Sequence, residues 1–229
     1  VNECLEDIRQ KMEGAHELIA ALKTALGDKV RVQPVPCVGR CQHAPVAVVG
    51  QNPIDNASTD TVLAAVKARD IEAPVTDYIG YDQYRAGGGY QLYQECITGK
   101  RSAEEIIGVM ENSGLRGLGG AGFPVGRKWR IVKSQPAPRL MAVNIDEGEP
   151  GTFKDRHYLE LDPHRFLEGM LIAAWAVEIH EIYIYLRDEY AGCRKILTCE
   201  LANLQKNHPA PLPLIHLRRG AGAYVCGEE

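Results

Sequence analysis

Long apolar runs are missing from this chain of 229 residues. The longest, "MLIAAWAV" at 170–177, falls far short of the roughly 20 residues that cross a bilayer, so no membrane span is expected. An excess of charge of one sign is missing too. With 26 Lys and Arg against 30 Asp and Glu, the net charge of -4 gives no reason to expect nucleic acid or an anionic membrane as partner. No apolar leader opens the chain, since "VNECLEDIRQ" is charged where the core of a secretory signal should be. Nor is there a disulfide framework. The seven cysteines are odd in number and scattered, which points to a reducing compartment and to thiols available for metal or redox work. A soluble, cytoplasmic chain of ordinary globular composition is expected. Internal repeats and low-complexity tracts are absent as well.

Glycine, by contrast, is concentrated in one place. "SGLRGLGGAGFPVGRKW" at 113–129 holds six glycines and three cations. Glycine in folded structure costs backbone entropy, so such a cluster needs a backbone that bends sharply or approaches something closely. Gly117, Gly119 and Gly122 satisfy G-x-G-x-x-G, but the dinucleotide fingerprint must follow a strand and open a helix, and here a helix precedes it. A Walker A loop is excluded by the spacing of Lys128 and the lack of a following Ser or Thr. What survives is a loop of backbone N–H groups able to cradle an anion, with Lys128 as a compact positive charge. A solvent-facing docking turn is the plain alternative. It rarely needs six glycines and leaves Phe123 and Trp129 without a role, so a ligand-binding loop is expected.

Around this loop the pattern is mixed. Apolar residues at Leu5, Ile8, Met12, Ala15, Ile19, Leu22 and Leu26 recur in alternating steps of three and four, one face of a long amphipathic helix. "KVRVQPVP" at 29–36 and "APVAVVG" at 44–50 predict short strands, and "TDTVLAAVKA" at 59–68 predicts a helix. This is only part of an α/β unit, and the natural chain is expected to start before Val1. Residues 71–100, with "RAGGGY", read as a connector. Ser102 with Glu105 forms a capping box for a helix ending near Gly114. Strands follow at 139–144, over "EIYIYL" and over "PLIHLR". Between them lie a helix opened by Asp162 and Pro163 that runs to about Glu178, and another over "DEYAGCRKILTCELANLQ". Strand–helix–strand–helix–strand predicts a parallel sheet covered on its faces. The chain stops in a second glycine-rich stretch, "GAGAYVCGEE", with no element after it, and reads as a fragment.

"NIDEGEPGTFKDR" follows the strand that ends at Asn144, and in open α/β sheets ligands sit at the carboxyl ends of strands. Asn144, Asp146, Glu147 and Glu149 cluster acceptors suited to the hydroxyls of a ribityl or ribose chain. A calcium loop is argued against by Pro150 and by the missing glycine and glutamate spacing. An exposed acidic turn is the bland alternative, and only the pairing with the glycine loop outweighs it.

"GLRGLGGAGFPVGRKW", "VNIDEGEPGTFKDR", "DPHRFLEGM" and "RRGAGAYVCGEE" together resemble the NADH-oxidising flavoprotein subunit of respiratory complex I and its relatives. Those include the diaphorase subunits of NAD-reducing hydrogenases and the beta subunits of NAD-dependent formate dehydrogenases. The resemblance spans residues 102–229 and implies a Rossmann-like α/β domain, incomplete at its carboxyl end, that binds flavin mononucleotide (FMN) and NAD. It implies that Gly117 and Gly119 line the flavin and that Lys128 meets its phosphate end. Asn144, Asp146 and Glu147 would hold the ribityl and phosphate region, and Tyr224, Gly227 and Glu228 would close the pocket. NADH would stack near Phe123, with Glu149, the implied catalytic residue, and Glu229 at its nicotinamide and ribose. Leu118 stands where many members have arginine. The chemistry implied is hydride transfer between NADH and flavin, then single-electron passage to iron–sulfur clusters.

"PCVGRCQHAPVAVV" resembles the second cysteine pair of thioredoxin-like [2Fe–2S] ferredoxins, which implies a domain of that kind over residues 1–70, ahead of the connector and a flavoprotein domain over 101–229. Cys37 and Cys41 would be cluster ligands and Cys4 would stand for the first pair, whose second position holds Arg9. Such a cluster needs four thiolates, and three are in place. Cys96, Cys193, Cys199 and Cys226 read as buried core thiols. A half zinc site lacks partners at zinc spacing. The relatives carry a [4Fe–4S] cluster in a later part of the chain, and no Cys-x2-Cys-x2-Cys run occurs here. The fusion is unlike the separate subunits of complex I and resembles formate dehydrogenase beta subunits and hydrogenase diaphorases alike, while "DYIGYDQYRAGGGY" and "DPHRFLEGMLI" look most like the formate dehydrogenase version. That implies a molybdenum- or tungsten-containing catalytic subunit and further iron–sulfur subunits as partners. The alternatives are a hydrogenase or complex I diaphorase, or a docking fragment without turnover.

Overall fold

The computed structural model describes residues 14–118, 121–207 and 212–223. Helix α1 (Gly14–Leu26) continues the apolar stripe read from the sequence, and its Ala15, Leu18, Ile19 and Leu22 are buried against Ala47, Ala57 and Val62. Helix α2 (Thr59–Ala68) has the predicted bounds, started by a capping box between Ser58 and Thr61. Between the helices lies an antiparallel hairpin of β1 (Ala47–Val49) and β2 (Asn52–Ile54), turned at Gly50. The strand expected over 29–36 is absent, with only Val35 in an isolated bridge. Pro34 and Pro36 lack the N–H groups a ladder needs. Proline also hid β2, where Pro53 sits in a short edge strand.

The segment expected as a connector is a folded strap. It carries α3 (Tyr81–Ala86) and α4 (Gln91–Ile97) and buries Tyr90 and Tyr93. Its anchors are polar groups on two later helices, α8 (Pro163–Ala176) and α9 (Ala191–Asn207). Glu168 accepts the Tyr84 hydroxyl at 2.6 Å and the backbone N–H groups of Tyr90 at 2.9 Å and Tyr93 at 3.2 Å. Fully buried His164 meets the Tyr90 hydroxyl through Nδ1 at 2.8 Å and Glu200 Oε2 through Nε2 at 2.6 Å. The Tyr78 hydroxyl donates to Glu200 Oε1 at 2.8 Å. Buried polar atoms left unpaired are costly, so this network fixes the strap by denying it alternatives. Glu200→Gln halves the acceptor capacity facing Tyr78, Tyr81, Asn203 and His164. We expect a loss of about 1–3 kcal/mol in chemical denaturation, together with faster proteolysis within residues 78–100. A variant that unfolds at wild-type denaturant concentration would remove Glu200 from the anchor.

The second unit starts with α5 (Ala103–Asn112), capped by Ser102 while the Glu105 carboxylate pairs with Arg101 instead of closing the expected capping box, and α6 (Val125–Lys133), which follows the glycine loop. Strands β3 (Arg139–Ile145), β4 (Ile179–Leu186) and β5 (Leu214–Arg219) form a parallel sheet in that order, so the predicted α/β class with a parallel, Rossmann-like sheet holds. Helices α7 (Lys154–Leu161) and α8 join β3 to β4, and α9 joins β4 to β5. Alternate residues Ile182, Ile184 and Leu186 are fully buried with Leu167, Leu171, Leu197 and Leu204. The opposite face differs from expectation. Leu140, Ala142 and Asn144 are exposed on it and Tyr183 and Tyr185 half-buried, so among the described residues the sheet is covered on one face.

Candidate functional site

Backbone hydrogen bonds shape the glycine loop into a narrow stem. Val125 N–H donates to the Leu115 carbonyl and Gly117 N–H to the Phe123 carbonyl, each at 2.9 Å, with an isolated bridge between Arg116 and Pro124. Arg116 Nη1 reaches back to the Gly122 carbonyl at 3.1 Å. Gly114 and Gly122 have φ of +68° and +53°, where a side chain is strained. Gly126 is needed for a different reason, because a Cβ there would strike the Glu111 backbone where α6 crosses α5. Trp129 also has a packing role, against Cys96, Ile106, Ile107 and Ala176. The expectation that a docking turn leaves Trp129 without a role is therefore corrected. Phe123 is more exposed, with the Arg127 guanidinium 5.8 Å from its ring centroid. Leu118, at the tip, is 84% exposed.

The cations of α6 fall into two groups. Arg130 is engaged by Glu104 at 2.7 Å and Glu111 at 2.8 Å. Arg127 and Lys128 are exposed on the first turn and meet no carboxylate among the described residues. No side chain caps that first turn.

The acidic turn divides its residues by direction. Asn144 and Glu149 are exposed, while Asp146 and Glu147 are buried. Asn144 Oδ1 accepts the Asp146 N–H at 2.9 Å, and the Gly148 N–H donates to the Asp146 carbonyl at 2.8 Å, which curls the chain after β3. Glu147, 5% exposed, accepts from the Asp155 N–H at 3.0 and 3.1 Å, the Tyr190 hydroxyl at 2.8 Å and Lys154 Nζ at 3.2 Å. A longer contact at 3.4 Å comes from the Arg156 N–H. Burial alone would raise its pKa, but these donors outweigh burial and hold the carboxyl below its ordinary value. Its acceptors are taken by the protein, and they cap the start of α7 from outside the helix.

Against this turn lies the cysteine loop. Cys37 Sγ is 3.8 Å from Cys41 Sγ and accepts the Gly39 N–H at 3.4 Å. Burial raises the Cys37 pKa, yet the N–H groups of Gly151 and Gly39, the Cys41 thiol and the Arg187 charge bring it below the usual thiol value. Arg187, 3% exposed at the end of β4, donates through Nη1 to the Glu147 carbonyl at 2.5 Å and through Nη2 to the Cys37 carbonyl. Arg156 Nε donates to the Gly39 carbonyl at 3.1 Å. Sequence reasoning missed Arg187, Tyr190 and Arg156. The one signal was "LRDEY", an arginine directly after an apolar strand.

Cys96 and Cys193 are buried as expected, whereas Cys199 is exposed on α9, which corrects the expectation for that thiol. Cys4, Gly119, Tyr224, Cys226, Gly227, Glu228 and Glu229 lie outside the described residues. Among the described residues no three His, Cys, Asp or Glu side chains group to hold a metal ion. No described helix is long and apolar enough to cross a membrane.

The Nuo51 FMN-binding domain family (Complex1_51K) matches residues 110–229. The F subunit of the NADH-quinone oxidoreductase of Aquifex aeolicus is 43% identical over 156 residues, covering 65% of this chain and 36% of its own. The F 2 subunit of the Rhizobium meliloti enzyme is 41% identical over 155 residues, 64% of this chain and 37% of its own. In three dimensions the whole chain superposes on 43% of a chain of NAD+-reducing [NiFe]-hydrogenase in the H2-reduced state, with a TM-score of 0.80 and 28% identity. The chain thus spans well under half the length of these relatives.

Proposed function

This chain belongs to the Nuo51 FMN-binding domain family, and we propose that it is the part of an NADH:acceptor oxidoreductase in which a hydride passes between NAD(H) and FMN. The observation that carries this is the first turn of α6. There Arg127 and Lys128 stand without carboxylate partners among the described residues, beside a glycine stem and an uncapped helix start, while Arg130 further along is neutralised. Cations left over at the positive end of a helix fit a phosphate. A helix that turns back into a strand through a short connection runs roughly antiparallel to it. On that rule the start of α6 would lie toward the end where β3 meets the acidic turn, which is the arrangement the proposal requires.

When bound, FMN supplies the hydride acceptor and the means of releasing electrons singly. The protein's part is to place and orient. Gly117 and Gly119 give the flavin a surface without side chains, and Lys128 takes its phosphate. Asn144 and Asp146 accept ribityl hydroxyls, and Glu147 serves by fixing the turn through α7. Tyr224, Gly227 and Glu228 close the pocket. Phe123 offers the nicotinamide a stacking face on the side away from Arg127, while Glu149 and Glu229 accept hydrogen bonds from the carboxamide and ribose. Correct orientation of the nicotinamide is itself a large share of the rate acceleration.

Cys37 and Cys41 fit one half of a [2Fe–2S] site. Metal–sulfur bonds of about 2.3 Å in a tetrahedron put two sulfurs about 3.8 Å apart, the separation found between these thiols. With Cys4 they would make three ligands in a domain of thioredoxin-like ferredoxin type, one short of the four thiolates such a cluster needs. We assign the chain to a NAD-dependent formate dehydrogenase on its strap sequence and "DPHRFLEGMLI", with a molybdenum- or tungsten-containing subunit and further iron–sulfur subunits as partners. The likeness to the hydrogenase chain along the whole length favours a hydrogenase diaphorase as the second reading.

The test is a visible spectrum after anaerobic incubation with FMN and desalting. Retained flavin bands that bleach on adding NADH are expected. Glu149→Gln should retain the flavin and slow the bleaching by roughly 10- to 100-fold, the range for one misplaced orienting contact. A folded protein that emerges without flavin would overturn the assignment.

A further inference from the structure

We infer that Arg187 is a positioning residue that couples the cysteine loop to the acidic turn, so that the bonding state of Cys37 and nucleotide binding at the turn influence one another. The inference rests on the proposed function only in taking that turn to hold FMN.

A buried guanidinium is expensive to desolvate and persists only where its donors are satisfied. Arg187 satisfies two of them on main-chain carbonyls from segments far apart in sequence, Cys37 and Glu147. Two carbonyl dipoles aimed at one buried point repel unless a cation lies between them. Arg187 is therefore the condition for the two loops meeting at all. Its remaining N–H bonds go to Glu189, Nε at 3.1 Å, and its guanidinium carbon lies 5.4 Å from the Tyr190 ring centroid. The Tyr190 hydroxyl in turn holds Glu147.

Contacts in the opposite sense close the circuit. The Gly39 N–H donates to the Cys37 sulfur at 3.4 Å. Gly39, at φ +69°, faces the Tyr190 hydroxyl so closely that a Cβ would lie 2.5 Å from it. The cysteine loop thus fits this surface at three points: the Cys37 carbonyl on Arg187, the Gly39 carbonyl on Arg156 and the bare Gly39 Cα on Tyr190. A metal ion or alkyl group on the Cys37 sulfur displaces the Gly39 N–H from it, and Gly39 presses on the Tyr190 hydroxyl that holds Glu147, so the turn must move with it. Thermodynamic linkage makes the effect reciprocal.

The experiment compares the full chain with Arg187→Met and Arg187→Lys. Iodoacetamide labelling is followed separately at Cys37, Cys193 and Cys199, and amide exchange over residues 147–152. In Arg187→Met, Cys37 labelling and exchange of the Gly148 amide, which is bonded to the Asp146 carbonyl, should both rise by about 5- to 150-fold. Cys193 stays protected and Cys199 labels at the wild-type rate. Arg187→Lys should restore part of the protection. Unchanged Cys37 labelling in a folded Arg187→Met would overturn the inference. Exposure of Cys193 in step with Cys37 would also overturn it, since that marks general unfolding.

Wild-type protein gives a second arm that needs no variant. Saturating FMN should slow Cys37 labelling, and protein alkylated at Cys37 should bind FMN more weakly. If FMN binds wild type but leaves Cys37 labelling unchanged, the coupling to nucleotide is wrong. If wild type binds no FMN while Arg187→Met still frees both Cys37 and the Gly148 amide, the proposed function falls and the coupling between the two loops stands.

Discussion

Glu147→Ala should unfold this protein at a markedly lower temperature and take FMN binding with it. The carboxylate is 5% exposed and engaged by Lys154, the Tyr190 hydroxyl and the N–H groups of Asp155 and Arg156. Removing it leaves two helix-start amides, a buried phenol and an ammonium group without their common acceptor. Lys154 is half-exposed, so the cost lies in the other donors: leaving them unpaired costs about 1–3 kcal/mol each, roughly 3–5 kcal/mol together, equivalent to roughly 6–20 °C in a domain of this size. Tyr190→Phe removes one donor and leaves the other contacts, so it should lose less, about 1.5–3 kcal/mol for one hydrogen bond to a charged group. Acid should imitate the alanine variant. The folded pKa of Glu147 lies below its ordinary 4.5, so its contribution is complete above that pH and fades as pH falls through the folded value. Thermal unfolding followed from pH 6 downward should therefore show a shallower acid limb in Glu147→Ala, with about one proton less taken up on unfolding. An acid limb identical to wild type, at an unchanged unfolding temperature, would show that Glu147 is not the clasp described.

The same carboxylate shows where the sequence could and could not be read. Helices α2, α5 and α8 carry their caps within their own segments, at Ser58, Ser102 and Asp162, and their starts are visible in the sequence. Helix α7 is capped by Glu147, which precedes Phe153, and no residue at its own boundary makes a side-chain cap bond. A cap supplied across a loop has no local signature. Helix α6 begins at Pro124 behind a glycine run whose spacing invites a phosphate-binding reading, so Gly126 reads as part of a ligand loop when it is required by the Glu111 backbone. The strap is legible in composition but not in meaning. Its tyrosines are spaced for contact with Glu168 and Glu200, far away in the chain, and not for a helical or strand period of their own. The candidate site divides along the same line. Asn144, Asp146, Glu149 and Lys128 stand out because a turn after a strand and a cation after glycines are local patterns. Arg187 and Arg156 act on carbonyls of the cysteine loop, and nothing in local spacing announces a partner that distant.

Lys128→Ala should leave stability alone and cost the protein most of its affinity for FMN. The side chain is exposed on the first turn of α6 and makes no ion pair among the described residues, so its loss from the apo protein should change unfolding by no more than about 0.5 kcal/mol. With a phosphate beside it, the ammonium forms a charge-assisted bond at the positive end of a helix. A hydrogen bond to a charged group contributes about 1.5–3 kcal/mol, so the Kd for FMN should rise roughly 10- to 150-fold. Leu118 gives the loop no second cation at its tip, so little nearby can take over the role. Arg127 is turned toward the Phe123 ring, and Arg130 is held by two carboxylates. Lys128→Arg should recover part of the affinity, since the charge is kept while the compact ammonium is replaced by a planar fork. Riboflavin, which lacks the phosphate, separates the interpretations: its affinity should be the same in wild type and Lys128→Ala. Equal weakening toward riboflavin and FMN would mean that Lys128 shapes the loop and that the phosphate lies elsewhere. Unchanged FMN affinity in Lys128→Ala would remove the first turn of α6 from the site.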